Sequence, residues 1–446
     1  MSSLSAYRAE ARASFLLAYP VMISMLGQVM TGVADSVMVG WTGAVPLAAA
    51  SLANVFFSVL LFFGVGMSYA ITPLVAEASG SGDHRRIIES LRHGLVINLV
   101  TGALLAMVVV VGQNLLRYIG QPDEVVELAI PYLMIITASL VPTMIFQSFR
   151  QFAEGLHRTR MAMVIMIAGN LINVVFNYVL IYGIWIFPEM GLNGAGWATF
   201  IARVIMAVWM GAYVYYGRDF MQYRDGFHFG HYSRVLIDRM LHIGVPAGAQ
   251  FIFEAAAFGF SGIMMGWLGT NTLAAHQIAI NLATISYMTT SGLGAAATIR
   301  VGTFLGQRDG VALRRSGFTL IGLGVGVMLL WGVAFILGQH FLPSLYIDDA
   351  AVLSIAAPLV FIAGFFQLSD GIQVVCAGAL RGLQDVKIPS LFIFVAYWVL
   401  ALPIGYVLAF PMGFGAEGVW LGLLIGLTVT AATMVVRFNR LSHKPL

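Results

Sequence analysis

The stretch "VGWTGAVPLAAASLA", residues 39–53, returns as "MGWLGTNTLAAHQIA" at 265–279, an offset of 226 positions. The same offset pairs Pro20 with Pro246, Thr72 with Thr298 and Asp83 with Asp309. Further along, "EGLHRTR" (154–160) answers "RGLQDVK" (381–387) at an offset of 227. The chain of 446 residues is therefore a tandem repeat, and whatever one half builds the other builds again.

What it builds follows from composition. The chain is 59% apolar and 10% charged, against roughly 45–50% and about 25% for soluble globular domains. So few charges cannot cover a water-facing surface, so this is a polytopic membrane protein. Its 49 glycines suit a lipid-embedded bundle, where small residues let helices approach closely. The single Cys376 rules out an intramolecular disulfide. The leading "MSSLSAYRAEARASF" is polar and charged and reads as a cytoplasmic lead into the first span, not a cleavable signal.

Twelve apolar runs are long enough to span: 14–40, 47–76, 94–116, 128–152, 161–187, 194–216, 243–268, 272–303, 317–338, 351–379, 389–410 and 418–436. They are continuously apolar and do not alternate as membrane strands do, so the expected class is all-α. The basic residues check the count. With the N-terminus inside, 21 of the 23 Lys and Arg fall in cytoplasmic segments or span ends; Arg117 is outside and Arg203 lies within a span. A wrong count would scramble this bias, so both termini are expected in the cytoplasm. Six spans per half is an even number, so the two repeats have parallel topology. The expected organisation is an amino lobe at 1–216, a cytoplasmic linker at 217–242 and a carboxy lobe at 243–446. Paired repeats of this kind enclose a site near the bilayer midplane.

Three acids fall inside spans: Asp35, Glu254 and Asp370. In bulk hydrocarbon each would cost at least ~2.5–3.5 kcal/mol, so each needs a partner, a wet cavity or a task. Each also lies on a polar stripe at helical spacing. Ser24, Gln28 and Thr31 lead to Asp35; Gln250 and Ser261 flank Glu254; Gln367 and Gln373 flank Asp370. The fifth span adds Asn170, Asn173 and Asn177, whose amides can donate to a carboxylate or offer carbonyls to a cation. The repeat places Asp35 against Ser261, Glu254 against Gln28, and Asp370 against Thr143, so the two halves differ in their acids. The competing reading is ordinary interhelical hydrogen bonding. Asymmetry argues for ion or proton coupling, because a carboxylate favours its protonated form when dry and its charged form beside water or a cation. Switching between those forms biases helix packing. Gln28, Thr31, Gln250 and Gln367 are the substrate-cavity candidates. Arg203 reads as structural, and His276 as a satisfied packing histidine.

As a set, "VADSVMVG", "GWTGAVPLAAASLAN", "GNLINVVFNYVLIYG", "GLNGAGWAT" and "SDGIQVVCAGALRGLQD" resemble the multidrug and toxic compound extrusion (MATE) family, in its NorM-like bacterial branch. The resemblance covers essentially the whole chain. It implies a V-shaped pair of six-helix bundles in a bacterial inner membrane, exchanging inward H⁺ or Na⁺ for outward organic cations and amphipathic drugs. It places an amino-lobe coupling site at Asp35, Asn173, Asn177 and Thr199, and a carboxy-lobe site at Glu254 and Asp370. Some relatives carry a second acid where this chain has Asn177, which favours H⁺ in the amino lobe and leaves Na⁺ open in the carboxy lobe. The expected partners are small drug-like cations and the lipid bilayer, with a functional monomer and no nucleic acid, organic cofactor or enzymatic activity.

Rival classes fare worse. The only lysines, Lys387 and Lys444, lie in no GxxxxGK[ST] loop, so ATP drive lacks its phosphate cradle. "GSGD" (80–83) fits the GxGD pattern of intramembrane aspartyl proteases, but "HRR" follows it in a charged loop. A flippase for a lipid-linked precursor, in the same wider fold superfamily, is the alternative. Its pyrophosphate cargo calls for cavity cations, and only Arg203 is available.

Overall fold

The computed structural model describes residues 3–118, 120–226, 230 and 232–444. Among the described residues every regular element is helical. The first six spans are Ser3–Gly40, Ala44–Ser68 continued by Ile71–Ser81, His84–Gly112, Asp123–Ala138 continued by Leu140–Gly155, Thr159–Tyr182 and Gly191–Tyr216. The second six are Arg234–Leu268, Thr270–Gly306, Gly310–Leu337, Ala350–Gly382, a run from Lys387–Phe394 to Leu402–Ala409, and Gly415–Leu441. Eleven are long and apolar enough to cross a membrane. The eighth, Thr270–Gly306, is 37 residues long but more polar, with His276, Gln277 and Asn281 along it. The expected all-α architecture is what the chain adopts.

Several helices outrun their apolar stretches. The first has 38 residues, about 57 Å at 1.5 Å per residue, nearly twice a ~30 Å hydrocarbon core. Once a helix is formed, each further residue adds a backbone hydrogen bond at little cost, so polar Arg and Glu extend it beyond the lipid. Hydropathy registers only the buried middle. For the same reason the seventh helix starts at Arg234, inside the expected linker.

The sequence repeat is also a structural repeat. Gly43 and Gly269 open the second and eighth spans with φ of 133° and 127°, in the region that favours glycine. Asp83 caps the third span by accepting from Arg86 N at 3.0 Å, and Asp309 caps the ninth by accepting from Ala312 N at 2.9 Å. Thr72 donates to Gln151 O at 3.1 Å, and its counterpart Thr298 donates to Gly378 O at 2.9 Å.

By packing, the chain forms two units: Ile23–Gly248, and Met1–Met22 with Ala249–Leu446. The lobes drawn from the repeat at 1–216 and 243–446 therefore differ from the packed units at their leading helices. The divisions fall inside the first and seventh helices, two residues past Pro20 and Pro246. A proline lacks the N–H that would bond one turn back, so each helix is weakest there.

In the carboxy unit, Leu17 and Ala18 join a core with Leu293, Ala296 and Ala297. Arg300 holds Glu10 by two hydrogen bonds, at 2.9 and 2.5 Å. In the amino unit, Arg239 donates to Glu77 at 2.8 Å, and Gly248 lies so close to Gly66 that a Cβ would strike its backbone. Such contacts between small residues are what membrane helix packing uses. The linker also packs here: Phe220 and Tyr223 are buried in one amino-unit cluster with Ile71, Leu91 and Phe152. Its residues 227–229 and 231 lie outside the described set. Arg150, counted among the cytoplasmic charges, is buried in a 2.7 Å pair with Glu154.

Candidate functional site

Asp35 lies in the amino unit on the first span, and the fifth span supplies its partner. Asn177 Nδ2 donates to Asp35 Oδ1 at 2.5 Å and lies 3.3 Å from Asn173 Oδ1. Asn173 Nδ2 in turn donates to Thr199 Oγ1 of the sixth span at 3.3 Å. The spacing explains the chain: Asn173 and Asn177 are one turn apart on one face. All four residues named by the resemblance thus form one hydrogen-bonded string across three helices. Asn177 is fully buried, and its Oδ1 has no partner among the described residues. That carbonyl is a free acceptor beside a carboxylate, a donor set suited to a small cation or an exchangeable proton.

The rest of the first-span stripe stands apart. Gln28 is exposed, and Thr31 Oγ1 turns back to Gly27 O at 3.0 Å. Asn170 packs under Gly27, where a Cβ would sit 3.1 Å from its Nδ2. Two residues that the polar stripes did not reveal complete the surroundings. Tyr132 of the fourth span is buried and within electrostatic reach of Asp35 and Arg203. Arg203 itself donates from Nη1 to Ser139 Oγ at 2.6 Å and stacks over the Phe57 ring at 5.0 Å. Tyr132 lies in the apolar run "IPYLMI", which offers no pattern to mark it.

The carboxy unit gathers a different set. Gln373 Nε2 donates to Glu254 Oε1, and Tyr397 OH donates to Gln373 Oε1 at 3.3 Å. Asp370 is 6% exposed and interacts electrostatically with Glu254. Gln367 Oε1 accepts from Ser286 Oγ at 2.9 Å, while its buried Nε2 has no partner among the described residues. Gln250 is buried on the turn before Glu254. Tyr397 sits in a π-helical segment, Val395–Ala401. Pro403 lies two positions past its end; a missing N–H and a ring that crowds the preceding turn widen the helix there. The wider turn also brings Trp398 Nε1 to Phe253 O, at 3.1 Å. His276, as expected, is a packing residue: it is 3% exposed, and Trp420 Nε1 donates to its Nδ1 at 3.1 Å.

An apolar groove of about 590 Å³ lies along the fourth and sixth spans, lined by Pro142, Phe149, Phe200, Val204 and Gly211 among others. None of the three intramembrane acids lines it.

The family model MatE matches residues 20–179 and 246–407, one copy in each half. The chain belongs to the MatE family. The two matches begin at the repeat-related Pro20 and Pro246, so the family unit is the repeat itself. This MatE chain is 36% identical over 438 residues to the probable multidrug resistance protein NorM of Rhizobium meliloti, covering 97% of this chain and 94% of that protein. It is 34% identical over 441 residues to the multidrug resistance protein NorM of Photobacterium profundum, covering 97% and 96%. In fold it is similar to the outward-facing structure of a multidrug resistance MATE family transporter of the MOP superfamily, with a TM-score of 0.89, 21% identity and coverage of 98% and 97%. This MatE chain is thus a multi-pass membrane protein of a transporter family.

Proposed function

We propose that this protein is a secondary active multidrug efflux transporter of a bacterial inner membrane, with both termini cytoplasmic. It exports organic cations and amphipathic drugs in exchange for H⁺ or Na⁺. The observation that carries the reading is the string Asp35–Asn177–Asn173–Thr199 inside the amino unit. A lone carboxylate held by a neutral amide can change charge without tearing an ion pair. The multidrug resistance names of the NorM relatives support the cargo class, and the distribution of Lys and Arg supports the orientation.

The mechanism follows from the bonds. A proton on Asp35 removes the charge and adds an O–H donor, so the bond from Asn177 Nδ2 weakens while the free Asn177 Oδ1 becomes a target. The first helix can then repack along Gly27–Gly32, where two glycines weaken it by roughly 1 kcal/mol each relative to alanine. In the carboxy unit, Glu254 and Asp370 offer two carboxylates to a proton or to Na⁺. Purified protein in sealed vesicles tests this directly. Ethidium efflux should follow an imposed proton gradient, with a smaller response to a Na⁺ gradient. Efflux that responds to neither gradient removes the antiport reading.

A further inference from the structure

We propose that Arg203 sets the charge selectivity of the amino-unit cluster: it is a fixed internal cation that balances Asp35 and keeps a metal cation from settling there. The inference rests on the reading of Asp35 as a coupling acid. Arg203 lies one helical turn beyond Thr199, so the two share a face of the sixth span. The string from Asp35 through Asn177 and Asn173 to Thr199 therefore runs toward the guanidinium. Neutral groups hold that guanidinium in place, Ser139 Oγ at 2.6 Å and the Phe57 ring at 5.0 Å. No carboxylate pairs directly with it among the described residues. A guanidinium stays charged at any ordinary pH, and a charge inside a membrane protein needs compensation. Asp35 is the acid that interacts with it electrostatically, with Tyr132 beside both.

The separation matters. A direct salt bridge would occupy the carboxylate oxygens of Asp35. At a distance, Arg203 balances the charge and leaves those oxygens to Asn177 and to an exchangeable partner. It also discriminates between partners. Its field opposes a proton and Na⁺ alike, but a carboxylate binds a proton covalently and far more tightly than Na⁺, so the proton still reaches the site. Na⁺ is held only by charge and dipoles after shedding water, so a balanced cluster holds it poorly. Glu254 and Asp370, two acids together, present the opposite field.

The test is equilibrium binding of radioactive ²²Na⁺ to the purified full chain, in an Asp370→Asn background that weakens the carboxy-unit cluster. Arg203→Gln should bind Na⁺ at least tenfold more tightly than this parent, Arg203→Lys should match the parent, and adding Asp35→Asn should erase the gain. Ser139→Asp, which gives the guanidinium its own carboxylate, should produce a similar gain with Arg203 retained, and it covers the case in which Arg203→Gln does not assemble. Unchanged Na⁺ binding in both Arg203→Gln and Ser139→Asp would overturn the proposal and leave Arg203 a packing residue. Because binding is read without a gradient, absence of gradient-driven efflux in the wild type would count against antiport alone.

Discussion

The two units solve the same folding problem alike and use their interiors differently. Asp83 and Asp309 cap equivalent helices, Thr72 and Thr298 clamp equivalent crossings, and Gly43 and Gly269 open equivalent spans. Their polar clusters do not correspond. The amino unit has one acid, Asp35, with amides and an arginine; the carboxy unit has two acids, Glu254 and Asp370, with Gln373 and Tyr397. The repeat partner of each acid is a polar residue without charge. Ser261 turns back to Phe258 O at 2.7 Å, Thr143 turns back to Ser139 O at 2.7 Å, and Gln28 is exposed. Contacts required for packing are duplicated, whereas the groups available for ion chemistry are not. That pattern is expected of a scaffold whose halves carry separate tasks.

The largest expected effect divides the two clusters. Asp35→Asn keeps the size and much of the hydrogen bonding of the side chain but fixes it without charge. It should still insert and fold, with some loss of stability because Arg203 loses its balancing charge, and proton-driven ethidium efflux in vesicles should fall by at least a hundredfold. Glu254→Gln with Asp370→Asn should instead lower efflux by about tenfold and abolish any Na⁺ response. Equal loss of both responses in both variants would erase the distinction between the clusters.

A second comparison concerns the helix leaders. Glu10 is 5% exposed on its side chain and bound twice by Arg300, whereas Glu77 is 22% exposed beside Arg239, itself 40% exposed. Arg300→Met strands a buried carboxylate and should cost about 3–5 kcal/mol. Arg239→Met breaks a wetter pair and should cost only ~0.2–1 kcal/mol. Thermal melts of the purified variants read the difference directly; equal shifts in melting temperature would contradict the burial argument.

The smallest effect tests the bending of the first helix. Gly32 has open space where a Cβ would go, so Gly32→Ala fits and stiffens the helix by roughly 1 kcal/mol. Melting temperature should rise slightly while efflux slows by about two- to fivefold. A variant that is both stiffer and undiminished in efflux shows that the helix does not bend at this point.

Much of this was legible in the chain itself. Apolar runs of bilayer length gave the spans, and the bias of Arg and Lys set the expected count at twelve, of which eleven helices among the described residues are long and apolar enough to cross a membrane; both signals respond to the lipid rather than to any particular neighbour. Asp35, Glu254 and Asp370 stood out because a carboxylate is conspicuous against an apolar background. Gln28 and Thr31 share a helical face with Asp35 without sharing its hydrogen-bond partners, since a shared face does not say which neighbour that face meets. The eighth run, 272–303, falls within the helix Thr270–Gly306, whose polar residues weaken its apolar signature.

By itself, then, the sequence determined that the chain is a duplicated all-helical membrane protein with three intramembrane acids, since hydropathy, charge bias and repetition are properties of the chain read in order. Only the tertiary structure decided who meets whom. Asn177 reaches Asp35 across 142 positions, and Gln373 reaches Glu254 across 119. It also decided that Arg150 and Glu154 pair in the interior, that Tyr397 enters its cluster on a widened turn, and that the described residues up to Met22 pack with the carboxy unit. The physical reason is common to all of them: a partner's identity depends on which helix faces come together, and that choice is made by packing small residues and backbone at close range, a quantity that no local pattern records.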